Sequence, residues 1–238
     1  MRFLLSILAL TFFLPSPAFS DQTVTEKLDQ RDKDFGKKAD PQKQADYKEG
    51  IELVRESGVL ERAKNVGDMA PDFILPSAAG KQVTLSELLK TGPVVMIWYR
   101  GEWCPYCNIY LEDIQAHVDE FKSIGAHVVA ISPESADRGW TLQDKKSIEF
   151  YVLSDIGSHV AQEYGVAYEL PPKIAEYYQK GFDIHTKNKD DSNILPLAAS
   201  YVINQDGKIT YAFLDANYKK RAETSVLLEE VQKLKIKK

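Results

Sequence analysis

The sequence predicts an α/β sandwich with a mixed central sheet flanked by helices. Three observations predict it. Residues 93–99 and 127–132 are continuous β-branched and aromatic runs, the pattern of strands buried on both faces. Segments with helical apolar spacing separate such runs. Asn204-Gln205-Asp206-Gly207 joins two further apolar runs by a hairpin signal, ahead of a closing amphipathic helix. The 238 residues suffice for one sizeable core. A net charge of −5 argues against a nucleic-acid binder, which usually shows a basic stripe.

Residues 1–20 have the layout of a secretory signal peptide. Arg2 is the positive start, residues 3–14 are a nearly continuous apolar run, and Ala18 and Ser20 are small residues before a cut at Asp21. The apolar run is shorter than the roughly 20 residues that span a bilayer. Cleavage leaves 29 basic and 35 acidic residues and no membrane span. The expected location is periplasmic or secreted, an oxidising space. Residues 21–65 read as a polar, partly helical extension. Its first half is a solvated tail or exposed helix, and Ile51, Leu53, Val54 and Leu60 mark a weakly packed helix.

A domain is expected over 66–238. Residues 73–75 and 83–85 read as short strands around a turn at Gly80, and Ser86 with Glu87 starts a helix. Ile109, Leu111, Ile114, Val118 and Phe121 carry one helix over 105–124. A helix over 135–146, a strand over 150–153 and a short helix closed by Gly165 follow. Residues 169–195, with Pro171, Pro172 and many polar residues, read as an irregular insertion holding a short helix. Two strands and a helix over 222–237 end the chain.

Both cysteines stand in Gly101-Glu102-Trp103-Cys104-Pro105-Tyr106-Cys107, between a buried strand and a helix. Pro105 suits the first helical position, which puts Cys104 near the N-cap and the positive end of the helix dipole. That placement predicts the lower thiol pKa at Cys104, with Cys107 within disulfide reach. A structural disulfide is the competing role. A four-residue ring is worth ~2 kcal/mol by loop entropy, against ~4.7 for a ring of about 100 residues, so redox chemistry is favoured. No other cysteine exists, and His117, His127, His159 and His185 are scattered, so no metal or cofactor is expected. Arg100 could stabilise a thiolate or form a surface ion pair. Glu102 could move a proton or be solvated. Trp103 and Tyr106 shape the entrance, and Asp155 reads as a helix cap.

An ordered set of segments resembles the peroxiredoxin-like AhpC/TSA (redoxin) family of the thioredoxin superfamily. The set is Gly67-Asp68-Met69-Ala70-Pro71-Asp72-Phe73, then Tyr99 through Cys107, Ala130-Ile131-Ser132-Pro133 and Leu153-Ser154-Asp155. Asp190-Asp191-Ser192, Leu195-Pro196, Ser200 through Asn204 and Asp215 through Arg221 complete it. The resemblance covers about residues 66–233. It implies a thioredoxin-like fold with an N-terminal β-hairpin extension, and thiol-dependent redox activity.

Two positions depart from the family pattern. Ala198 stands where thioredoxin-like proteins commonly place a cis-proline, so a trans bond is expected there. Laid on the peroxiredoxin pattern Pro-x-x-x-Thr-x-x-Cys, Arg100 takes the proline, Cys104 the threonine and Cys107 the peroxidatic cysteine. A thioredoxin-style reading has Cys104 attack instead. The peroxide-binding arginine is not evident ahead of the Ser200 strand.

The leading expectation is a periplasmic peroxidase that reduces peroxides through Cys104 and Cys107. A thioredoxin-like or membrane-linked thiol would return the disulfide to the dithiol. The alternatives are a TlpA-like thiol–disulfide oxidoreductase acting on protein disulfides, and a non-enzymatic interaction domain on the same scaffold.

Overall fold

The structure, a computed structural model, describes residues 22–137 and 148–236. The expected signal segment lies outside the described residues. So does most of the helix expected over 135–146; residues 135–137 are described and are not helical.

Three helices come first: α1 (Val24–Lys38), α2 (Pro41–Glu56) and the single turn α3 (Val59–Arg62). The hairpin of β1 (Ile74–Pro76) and β2 (Gln82–Thr84) follows, then α4 (Leu85–Leu89) and β3 (Val94–Trp98). Next are α5 (Pro105–Ala116), α6 (Val118–Ser123), β4 (His127–Ser132) and β5 (Tyr151–Ser154). A 3-10 turn at Ile156–Ser158 leads into α7 (His159–Glu163). β6 (Ala167–Glu169), α8 (Pro172–Phe182), α9 (Ile184–Asn188) and β7 (Ile194–Pro196) make the insertion. β8 (Ala198–Ile203), β9 (Ile209–Asp215) and α10 (Thr224–Ile236) close the chain.

The main sheet has the order β5-β4-β3-β8-β9. β3 pairs parallel with β4 and antiparallel with β8, so the expected mixed sheet is present. Every residue of β3 is buried, as its continuous apolar run requires. Alternation along this strand divides the core into two layers. Val94, Met96 and Trp98 join one layer, and Val95 and Ile97 join the other together with Cys104 and Cys107. The site is thereby built into a core layer. The hairpin docks on the sheet edge, where Ser77 bridges Leu153.

Three expectations need correction. The first half of the extension is a helix, mostly exposed as one alternative had it, but docked on the domain and not a free tail. Thr23 and Glu26 form a capping box at α1, and Val24 and Leu28, one helical turn apart, are buried. On α2, Tyr47, Ile51 and Val54 are buried, so this helix packs firmly. The single helix over 105–124 breaks at His117. Its ring nitrogen lies 2.8 Å from the Asp113 carbonyl oxygen, and its main-chain N–H donates to Ile114 instead. The insertion is regular: β6 and β7 form an antiparallel ladder that brackets α8 and α9. α8 starts with Pro172 at its first position and buries Ile174, Ala175 and Tyr178. Among the described residues no helix is long and apolar enough to cross a membrane.

Candidate active site

After β3 the chain turns through Gly101 at φ 146°. A Cβ there would lie 2.3 Å from the Trp103 indole nitrogen, so the turn requires glycine. Cys104 is the N-cap of α5 and Pro105 its first residue, as the sequence indicates. Cys107 falls one turn on. Both are free thiols; Cys104 is 2% exposed and Cys107 0%.

The two sulfurs hydrogen-bond to each other, so the charge on one acts on the other. Burial pushes the Cys104 thiol up, and its bond to Cys107 and the charge there push it further. Burial also opposes a charge on Cys107, but the Cys104 bond, Arg221 and Arg100 outweigh it and hold Cys107 well below the ordinary thiol range. Arg221 Nη2 donates to Cys107 Sγ at 3.3 Å. Its Nη1 donates to the Tyr218 and Lys220 carbonyls, which fix the guanidinium. This reverses the expectation from the helix dipole. The Cys104 side chain makes no capping bond to the helix N-terminus, and the guanidinium sits beside the other sulfur.

Arg100 is 1% exposed, which corrects the surface ion pair considered for it. Its guanidinium lies 4.1 Å from the Tyr218 ring centroid, 4.6 Å from Tyr178 and 5.1 Å from Trp103. Burial opposes its charge, but Tyr178, Tyr168 and Cys104 outweigh it and keep Arg100 protonated. Glu102 is buried, not solvated, and accepts from Lys187 of α9 at 2.7 Å. The Glu102 main-chain N–H donates to Glu134 Oε2 at 2.8 Å. Burial pushes Glu134 up to about 8, against that bond. Asp155 accepts from the Val160 and Ala161 main-chain N–H groups, the capping role expected.

A pocket of about 80 Å³ opens onto Cys104. Trp103 and Tyr106 line it, as expected of an entrance. α1 contributes Arg31 and Phe35, and α2 contributes Tyr47. The insertion adds Tyr178 and Phe182, with the Phe182 ring stacked 5.0 Å from Trp103. The Tyr106 hydroxyl donates to Asp32 of α1 at 3.1 Å, tying the motif to the extension. Among the described residues no group of three His, Cys, Asp or Glu side chains is placed to hold a metal.

The structure thus brings Cys104 and Cys107 together. Sequence reasoning missed Arg221, Glu134 and the aromatic residues of α1, α2 and α8 as parts of the site. Arg221 had a signal, since it ends the segment Asp215 through Arg221 that carries the family resemblance. The family pattern places the peroxide-binding arginine ahead of β8, whereas this arginine follows β9. No cis peptide occurs among the described residues, so the Leu197–Ala198 bond is trans as expected.

A mixed sheet with a paired-thiol junction at the end of its central strand defines a thiol redox protein of thioredoxin-like fold. The AhpC/TSA family matches residues 66–212, and the chain belongs to that family, among the peroxiredoxin-like redoxins. A relative from Buchnera aphidicola is 34% identical over 100 residues, 42% of this chain and 63% of that relative's length. Peroxiredoxin Bcp of Escherichia coli K12 is 29% identical over 150 residues, 63% of this chain and 85% of its own. The crystal structure of peroxidoxin BcpB from Mycobacterium tuberculosis superposes with a TM-score of 0.56 at 22% identity, over 71% of this chain and 97% of that one. That likeness supports the fold.

Proposed function

We propose that the chain is a thiol-dependent peroxidase in which Cys107 attacks and Cys104 resolves. The peroxiredoxins among its relatives support the peroxidase class. The observation that carries the assignment is Arg221 Nη2 at 3.3 Å from Cys107 Sγ. The thiolate is the nucleophile, and the guanidinium makes Cys107 the sulfur that carries the charge. The Cys107 thiolate attacks a peroxide oxygen and the O–O bond breaks. The released alkoxide takes up a proton, leaving Cys107 as a sulfenic acid and an alcohol or water. The Cys104 thiol then displaces the hydroxyl as water and forms the Cys104–Cys107 disulfide. Glu134, neutral near pH 7, is a proton donor close to this charge.

The burial of Cys104 speaks against exchange with a protein disulfide, which needs a sulfur within reach of a partner's surface. The periplasmic or secreted location rests on residues 1–20 alone, and N-terminal sequencing of the exported protein, expected to begin at Asp21, tests it.

Stopped-flow mixing with hydrogen peroxide tests the chemistry. Cys107→Ser is expected to abolish fast oxidation. Cys104→Ser is expected to keep it and to accumulate a sulfenic acid that dimedone traps. Fast oxidation surviving in Cys107→Ser would return the attacking role to Cys104.

A further inference from the structure

The pocket at Cys104 holds two cationic side chains, Arg31 and Arg100, and among the described residues no Asp or Glu lines it. Arg100 is buried, and the groups acting on its charge are tyrosines and Cys104, with no carboxylate among the largest. Its Nε and Nη2 atoms are buried and have no hydrogen-bond partner. These two atoms form one edge of the guanidinium, the edge that binds a carboxylate through two parallel bonds. Once the disulfide has formed, no thiolate answers this buried charge, which is costly. The rings of Trp103, Tyr178 and Tyr218 offset part of that cost and Tyr178 also hydrogen-bonds the guanidinium, but Nε and Nη2 stay unpartnered.

The pocket also selects between the sulfurs. Cys104 lines it and Cys107 does not. Once the disulfide has formed, a thiol arriving by this route meets Cys104. The sulfur it expels is Cys107, whose thiolate Arg221 receives. A stabilised leaving thiolate departs faster. About 80 Å³ is several times the ~10–15 Å³ that holds one water. It admits the end of a small molecule. A protein thiol would have to displace α1, α2 or α8 to reach a sulfur that is 2% exposed.

We propose that this pocket is the reductant site, and that it takes a low-molecular-weight thiol bearing a carboxylate, which the free edge of Arg100 holds. The inference rests on the Cys104–Cys107 disulfide of the proposed cycle. One thiolate, RS⁻, attacks Cys104 Sγ; the Cys104–Cys107 bond breaks and its electron pair leaves on Cys107. The product is the mixed disulfide Cys104–S–S–R. A second RS⁻ attacks the R-side sulfur and releases RSSR, and Cys104 takes a proton from water. Two small thiols are oxidised to one disulfide while the protein disulfide is reduced to the dithiol.

The test uses protein oxidised beforehand with diamide, so that a failure of peroxide turnover leaves this half-reaction measurable. Mercaptoacetate, mercaptoethanol and cysteamine are similar in size and differ in charge. Their rates are followed by tryptophan fluorescence and divided by their rates against hydroxyethyl disulfide. Mercaptoacetate is expected to lead mercaptoethanol by about tenfold, the worth of one charge-assisted pair, with cysteamine slowest. Arg100→Gln is expected to erase that ratio, and Arg100→Lys to retain part of it. Equal normalised rates for the three thiols in the parent protein would overturn the proposal. So would faster reduction by a reduced thioredoxin at the same thiol concentration, because Cys104 would then lie open to a protein surface.

Discussion

Cys107 differs from Cys104 through the bond between them and through two guanidiniums, of which one comes from far away in sequence. Arg221 reaches it from beyond β9, and no reading of the seven residues around the cysteines contains that contact. Replacing Arg221 by Met keeps much of the bulk and removes the charge. The Cys107 pKa is then expected to rise by about one unit or more, read from the pH dependence of thiolate absorbance, and oxidation by peroxide to slow at neutral pH. Glu134 works in the opposite sense on stability. Its native pKa is raised, so the folded protein holds a proton that the unfolded chain gives up between the ordinary glutamate range and about 8. Stability from this group falls as pH rises through that window. Cys107, with its native pKa lowered, adds stability to the reduced protein as pH rises toward the ordinary thiol range. Glu134→Gln removes chiefly the first effect. Urea unfolding of variant and parent is expected to favour the variant increasingly with pH, by up to about 1.4 kcal/mol per pH unit inside the window.

At the scale of elements, the extension and the insertion build the walls of the site. α1 crosses from one part of the site to the other. Asp32 accepts from both Tyr106 and Lys219, Lys27 pairs with Asp113, and Glu223 accepts from the Val24 and Thr25 main-chain N–H groups. Leu28 is its buried anchor. Leu28→Ala is expected to cost about 2 kcal/mol or more in denaturant unfolding and to speed alkylation of Cys104 by iodoacetamide. Unchanged alkylation would mean that α1 does not guard the pocket. Strands were the legible elements. β3 and β4 announce themselves as continuous apolar runs, and β8 and β9 through the Asn204–Gly207 turn. α1 was harder to read because only Val24 and Leu28 are buried, among charged residues whose partners lie far along the chain. α8 and α9 were hidden by the prolines and polar residues around them. Pro172 begins a helix there, and left-handed Asp183 and Lys189 bound α9 without glycine.

Over the whole molecule, one alternating strand divides two core layers, and the thiol pair lies inside one of them. The α/β class, the hairpin and the position of the cysteines were legible because they follow from local periodicity and spacing. The charge on each sulfur was not, because it depends on where distant guanidiniums finish. Close backbone approaches lock the frame around the site. Gly165 sits at φ 69°, where a Cβ would lie 2.3 Å from the Arg62 carbonyl oxygen, so α3 and the end of α7 meet without side chains between them. The two buried guanidiniums beside the sulfurs also set the electron affinity of the couple. The dithiol carries a thiolate that answers their charge, whereas the disulfide is neutral and leaves both without it. The oxidised protein is therefore the less comfortable partner, and its reduction potential lies above that of a comparable site lacking those cations. The difference is about 30 mV for each pKa unit by which they hold the thiolate down. Equilibration of Arg221→Met against glutathione buffers is expected to give a more negative midpoint than the parent, and an unchanged midpoint would mean that Arg221 acts on the rate of attack without setting the driving force.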